Sequence, residues 1–267
     1  MKSLVVNADD FGFTPDVNQG IVEAHCNGIL TATTLMATGA AFDDAVRWSR
    51  EVPTLDIGCH LVLVGDPPYP ATVAKLTRAV FLKQIDVRQE LSNQVRKILK
   101  AGIRPTHLDT HKHTHLLPPV LDAVAHISEE FQIPWVRRPF DLPLTPGGVS
   151  LAKRTVSKTL RVVRSRFMRV LQSHGCRSTD HFAGFQITGN YDARSLAALI
   201  RALPEGSTEF MCHPGIYGDD LRAAPTRLKE SREQELRALT SKEVRLALEE
   251  SQVRLVNYRD LENSFEA

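Results

Sequence analysis

The sequence predicts an α/β fold with a largely parallel sheet. Three observations carry this: short β-branched runs alternate with longer segments of helical period, polar residues gather at the ends of those runs, and 267 residues suits a single α/β unit. One domain spanning 1–267 is therefore expected.

Leu4 to Ala8 reads as the first strand, followed by a turn at Gly12 and a helix from Pro15 closed by Gly28. Leu55 to Val64 reads as a longer strand, Asp86 to Lys100 as an amphipathic helix ending at Gly102, and Thr106 to His111 as another strand. Pro118 and Pro119 open a helix to about Glu130. Further strands are expected at Trp135 to Arg137, Phe182 to Ile187, Thr208 to Cys212 and Arg254 to Asn257, with helices filling most gaps. The charged tail from Pro225 reads as one or two surface helices, with a capping box at Thr240 and Glu243. Pro and Gly mark Gly65 to Pro70 and Pro139 to Gly148 as long loops, and Thr145 to Ser150 as a segment that could close over a ligand.

Composition narrows the function. A formal charge of +2 is too small a bias to indicate a nucleic-acid partner, and no stretch approaches a membrane span. The N-terminal apolar run meets Asp9 and Asp10 too early for a signal peptide, and the four cysteines form no C-x-x-C pair. A cytoplasmic setting is the simplest expectation. No P-loop, G-x-G-x-x-G or G-x-S-x-G motif points to nucleotide, hydride-transfer or serine chemistry.

Asp9 and Asp10 end the first strand, where such sheets build their sites. Two adjacent carboxylates are costly to bury unless a cation compensates them, although an Asx-turn into Gly12 explains the dipeptide equally well. His60 is a lone imidazole in an apolar strand. More telling is Thr106-His107-Leu108-Asp109-Thr110-His111-Lys112-His113-Thr114-His115. If this segment is extended throughout, His107, Asp109, His111, His113 and His115 project to one face, a concentration that points to a metal or acid/base site. His213 ends a strand before Pro214 and is a candidate ligand, acid or turn residue, while Arg137 and Arg138 are candidates to pair with a carboxylate or orient substrate. Mixed Asp and His donors suit a hydrolytic divalent ion; zinc is plausible from the imidazoles, with magnesium or manganese also open.

Together, Asn7-Ala8-Asp9-Asp10-Phe11-Gly12, Gly58-Cys59-His60-Leu61, the His107 to His115 run and His213-Pro214 resemble, in order and spacing, the YdjC-like carbohydrate deacetylase family over nearly the whole chain. The resemblance implies an irregular, TIM-barrel-like (β/α) barrel that uses one divalent metal ion, Mg2+ or Zn2+, to remove acetyl groups from N-acetylated sugars. Carried over, it makes Asp10, His60 and His111 the metal ligands, Asp9 the general base and His213 the general acid, protonated so as to donate to the departing amine. Arg138, His113 and His115 are the expected substrate contacts. Thr110, Lys112 and Val64 depart from many relatives; Lys112, Val64 and the His-Lys-His-Thr-His run look closer to a hopanoid-biosynthesis-associated branch, which implies an N-acetylglucosaminyl glycolipid substrate.

Val156, Leu160, Val163, Phe167, Val170 and Leu171 form a helical stripe flanked by Lys and Arg. A barrel helix with a solvated basic face is the preferred explanation, with peripheral membrane contact through 153–171 the alternative. A homodimer is compatible with the sequence. Competing functions are another divalent-metal hydrolase, such as a phosphoesterase or amidohydrolase, and a non-catalytic sugar- or lipid-binding protein with a structural metal. Nucleic-acid binding through the basic helix lacks interleaved aromatics.

Overall fold

The computed structural model describes residues 1–142 and 163–266. Its strands are β1 (Lys2–Phe11), β2 (Ala32–Leu35), β3 (Asp56–Leu61), β4 (His107–Thr110), β5 (Trp135–Val136), β6 (His181–Ala183), β7 (Gly206–Cys212) and β8 (Val253–Leu255). They pair in parallel in the order β5-β4-β3-β2-β1-β7-β6, and β8 pairs with the first residues of β1. Parallel bridges Trp135↔Arg177 and Asp141↔Phe182 bring the segments at the two edges together, so the sheet curls into an irregular barrel.

The helices are α1 (Pro15–Cys26), α2 (Phe42–Glu51), α3 (Val73–Phe81), α4 (Val87–Lys100), α5 (Pro118–Phe131), α6 (163–173), α7 (Ala193–Arg201), α8 (Asp219–Ala223), α9 (Glu230–Leu239), α10 (Lys242–Glu250) and α11 (Tyr258–Glu266). Most starts have a chemical cause. Thr14 accepts Val17 N–H ahead of Pro15, Asp86 accepts Gln89 N–H at α4, and Asp192 shares a capping box with Ser195 at α7.

Strand alternation separates two interiors. Leu4, Val6 and Ala8 of β1, Ile57, Cys59 and Leu61 of β3, Leu108 of β4, and Phe210 and Cys212 of β7 belong to the buried apolar layer shared with the helices. The intervening residues, Asn7, Asp9, Asp56, His60, His107, Asp109 and Glu209, are buried and polar. Each strand thus contributes an apolar row to the packing and a polar row to the barrel axis. Gly58 belongs to the second row for lack of space, since a Cβ there would stand 2.5 Å from the His107 carbonyl oxygen.

Several local expectations are corrected. β2 falls between the expected helix from Pro15 and the expected strand from Leu55, where no strand is expected, because four residues give no usable period. α1 ends with Asn27 as its cap, one residue before Gly28. The cap at Thr240 and Glu243 does not form; Ser241 caps α10 by accepting Val244 N–H at 3.2 Å, and Thr240 closes α9. Nor is α9 purely a surface helix, for Arg232 and Glu235 are buried. The loop expected at 145–150 and residues 153–162 of the basic stretch lie outside the described residues. In the described part of that stretch, Phe167 and Leu171 are buried, Phe167 against Phe140 and His115, while Val163 is exposed. No helix among the described residues is long and apolar enough to cross a membrane.

Candidate active site

Asp9 and Asp10 are consecutive, and in a regular strand their side chains would oppose each other. Asp10 instead adopts φ 70°, where the pairing of β1 with β2 shifts register between Ala8 and Phe11. This irregularity lets both carboxylates reach one buried cluster at the C-terminal end of the strands. His60 arrives from β3 and His111 from the residue after β4.

Asp10, His60 and His111 each offer one ligand atom, all within 4.8 Å of one another. His60 Nε2 lies 3.4 Å and His111 Nδ1 3.2 Å from Asp10 Oδ1, and the two imidazole nitrogens are 3.2 Å apart. Donors placed at zinc-ligand distances around a tetrahedral ion stand roughly 3.3 Å apart. The buried Asp10 Oδ1 has no hydrogen-bond partner among the described residues. An orphaned carboxylate oxygen facing two imidazole nitrogens fits a divalent cation.

His60 is oriented from behind. Its Nδ1 lies 2.7 Å from Asp109 Oδ1, and Thr34 donates to Asp109 Oδ2 at 3.0 Å. Burial alone would lower the His60 pKa, but the charge of Asp109 and the bond to it, with the Asp10 carboxylate close by, raise it to about 10. Asp109→Asn is expected to lower divalent-metal affinity by about 10–100-fold, measurable by competition with a chelating dye. Unchanged affinity would remove Asp109 from this role.

Arg137 lies at the end of β5, fully enclosed. It grips Asp9 with both terminal nitrogens at 2.7 and 2.8 Å, reaches Asp109 at 2.7 Å and meets Glu209 through Nε at 2.7 Å. Burial would raise the Asp9 pKa, yet Arg137 and the nearby histidines hold it well below the usual carboxylate range, so Asp9 is ionised. Glu209, buried between Arg137 and the other two acids, is pushed up to about 7. On the far side, Arg232 of α9 meets Asp10 Oδ2 at 2.5 Å, and burial notwithstanding, Asp10 is also held well below its ordinary value.

His213 Nε2 lies 3.8 Å from Asp9 Oδ2. Its backbone N–H donates to Glu235 at 2.6 Å, while Tyr191 donates to the same carboxylate. The following loop seats tightly on α1, since a Cβ on Gly20 would lie 2.4 Å from Gly215 Cα. Burial lowers the His213 pKa despite the charge of Asp9, so the resting imidazole is neutral.

The histidine run is not one extended face. β4 stops at Thr110, and Lys112 and His113 take left-handed backbone at φ 56° and 51° within a short 3-10 segment. His107 stacks on Tyr258 at 3.9 Å and bonds Asn7, deep in the barrel. His113 is buried near Phe182 and Phe185, with Nδ1 unpartnered among the described residues. His115 has both ring nitrogens occupied, by Thr110 Oγ1 at 2.6 Å and the Arg137 carbonyl at 3.1 Å. Arg138, the other arginine expected to contact substrate, is buried as well. Its charged neighbours are Arg164 and Asp180 rather than the site acids, and burial with Arg164 lowers its pKa to about 10.

Sequence reasoning did not single out Glu209, Arg232 or Glu235. Glu209 is an acid inside an apolar strand, a usable signal; Arg232 and Glu235 were camouflaged in a charged helix. A cavity of about 1130 Å³ opens at the other end of the barrel, lined by Ile57, Thr106, Trp135 and Tyr258, and includes none of the clustered site residues.

Residues 3–250 match the family model described as YdjC-like protein. The chain belongs to that family. A carbohydrate deacetylase of Brevibacillus brevis is 30% identical, over 97% of this chain and 99% of that protein, and one of Clostridium beijerinckii matches at the same identity and coverage. Among solved structures, an Enterococcus faecalis protein provisionally described as a cellobiose-phosphate cleavage protein shares 28% identity at TM-score 0.77, covering 97% of this chain and 98% of its own. A lactam utilization protein of Thermus thermophilus, at 15% identity and TM-score 0.52, shares the fold, covering 95% of this chain and 98% of its own. This YdjC-like chain keeps its curled parallel sheet and places the Asp-Asp pair, His60, His111 and His213 together at one end of it.

Proposed function

We propose that this YdjC-like protein is a divalent-metal-dependent deacetylase of N-acetylated amino sugars. The observation that carries the reading is the convergence of Asp10, His60 and His111 beside Asp9 and His213. The carbohydrate deacetylase relatives support the substrate class. Asp10, His60 and His111 would hold the ion, whose Lewis acidity activates water and offsets charge developing on the acetamide oxygen.

The protein's own groups manage the proton. Asp9 accepts it from the attacking water while Arg137 fixes the carboxylate plane. His213, 3.8 Å away, receives it and delivers it to the nitrogen as the C–N bond breaks, giving acetate and a free amine. His113, with a buried unpartnered nitrogen between two phenylalanines, is the proposed sugar contact. The N-acetylated unit belongs to a chitooligosaccharide or to a glycolipid; the former needs no membrane contact.

The test is acetate release by metal-stripped protein with zinc, magnesium, manganese or cobalt restored, on N-acetylglucosamine, chitobiose and a lipid-linked N-acetylglucosamine. Release that needs metal and is lost in Asp10→Ala supports the proposal, and the preferred compound selects the substrate. Stoichiometric metal uptake without release from any of them would reject deacetylation.

Metal uptake should also depend on pH. His60 must lose its proton to offer Nε2 while Nδ1 remains paired with Asp109, and its proton is held up to about 10. Affinity should therefore rise roughly tenfold per pH unit between pH 7 and 9, flattening towards 10. Titration with zinc at several pH values checks this, and a flat profile would show that no such proton is displaced.

A further inference from the structure

The two oxygens of Asp10 have unlike surroundings. Oδ1 faces His60 and His111 and lacks a hydrogen-bond partner among the described residues, whereas Oδ2 accepts Arg232 Nη2 at 2.5 Å. Arg232 is itself immobilised. Its Nε donates to the Leu228 carbonyl at 3.2 Å, its guanidinium lies over the Phe13 ring, and its stem runs beside Gly215, where a Cβ would stand 3.2 Å from Arg232 Cδ. At 2% exposure, it has no solvent-facing alternative.

A carboxylate binds a cation through one oxygen or through both. A charge-assisted bond to Oδ2 opposes the second mode, because a cation drawing on Oδ2 would compete with a guanidinium already there. We infer that Arg232 is a positioning residue that restricts Asp10 to one ligating oxygen. The inference rests on the metal reading proposed above. Its consequence is an additional open coordination position, which a hydrolytic site needs for water and substrate. The role does not require Arg232 to touch the sugar.

Cobalt(II) reports this without turnover, since its visible absorption weakens severalfold as coordination rises from four or five ligands to six. Wild-type protein, Arg232→Met and Arg232→Lys would be saturated with Co2+ and their spectra compared, with far-ultraviolet circular dichroism to confirm folding. Arg232→Met is expected to bind Co2+ within about 100-fold of wild-type affinity but to show a weaker band. Arg232→Lys, which can still donate to Oδ2, should recover much of it. If the Met variant does not fold, Arg232→Gln is read the same way. A Met or Gln spectrum superimposable on wild type would overturn the inference, and tighter binding with that same spectrum would show that Arg232 only competes for Asp10. No Co2+ uptake by wild type would overturn both the inference and the metal reading. The two failures are therefore distinguishable.

Discussion

Asp9→Asn should lower turnover of an N-acetylated sugar by about 10²–10⁴-fold while leaving metal binding largely intact. Asparagine keeps the shape of the side chain but cannot accept the proton in the same way. Arg137 retains Asp109 and Glu209 as partners, so the replacement does not strand a cation. The decisive comparison is kcat at saturating metal, with metal stoichiometry measured on the same sample. A variant retaining more than a tenth of wild-type kcat would remove Asp9 as the base.

Arg137→Leu is expected to have the largest effect on stability. Arg137 lies among Asp9, Asp109 and Glu209, and deleting it leaves buried acids without their shared cation. Removing one partner from a buried charge cluster costs about 3–5 kcal/mol, a large part of the 5–15 kcal/mol typical of a folded domain. A fall in melting temperature of roughly 10 °C, or loss of soluble protein, should follow. Arg137→Lys should be intermediate, because an ammonium cannot match the fork on Asp9 while also reaching Glu209. Thermal unfolding of both variants at neutral pH checks this ordering. A Leu variant melting within two or three degrees of wild type would show that the acids find another means of compensation.

Much of the barrel was legible because apolar runs and caps are local signals. Asp86 and Pro15 sit where a helix start requires them, and the strands from Leu4, Leu55 and Thr208 survive with shifted ends. β2 escaped because four residues carry too little pattern. The motifs that carry the candidate site were legible, whereas spacing could not select the imidazoles, and the family resemblance alone singled out Asp10, His60 and His111 as candidate ligands. What escaped was geometry that depends on distant chain segments. Periodicity placed His113 and His115 beside His111, whereas left-handed backbone at Lys112 and His113 sends them elsewhere. Likewise, adjacent Arg137 and Arg138 are equivalent in sequence, but strand alternation gives Arg137 to the acids and directs Arg138 towards other neighbours.

The span of the ion pairs has a consequence for how the site is made. Asp9 and Arg137 are 128 positions apart along the chain, and Asp10 and Arg232 are 222 apart. Such closures come at a large loop-entropy cost and are favoured late in folding, after local helices and neighbouring strands have formed. A nascent chain reaching only α5 would already possess Asp9, Asp10, His60, Asp109 and His111, yet lack both arginines that partner the first two acids. The acid pair would then be without the cations that make its burial favourable, delaying final desolvation until the C-terminal half arrives. Assembly order is thus built into the ion-pair topology: the residues proposed to hold metal are synthesised early, while the charges that organise them arrive late.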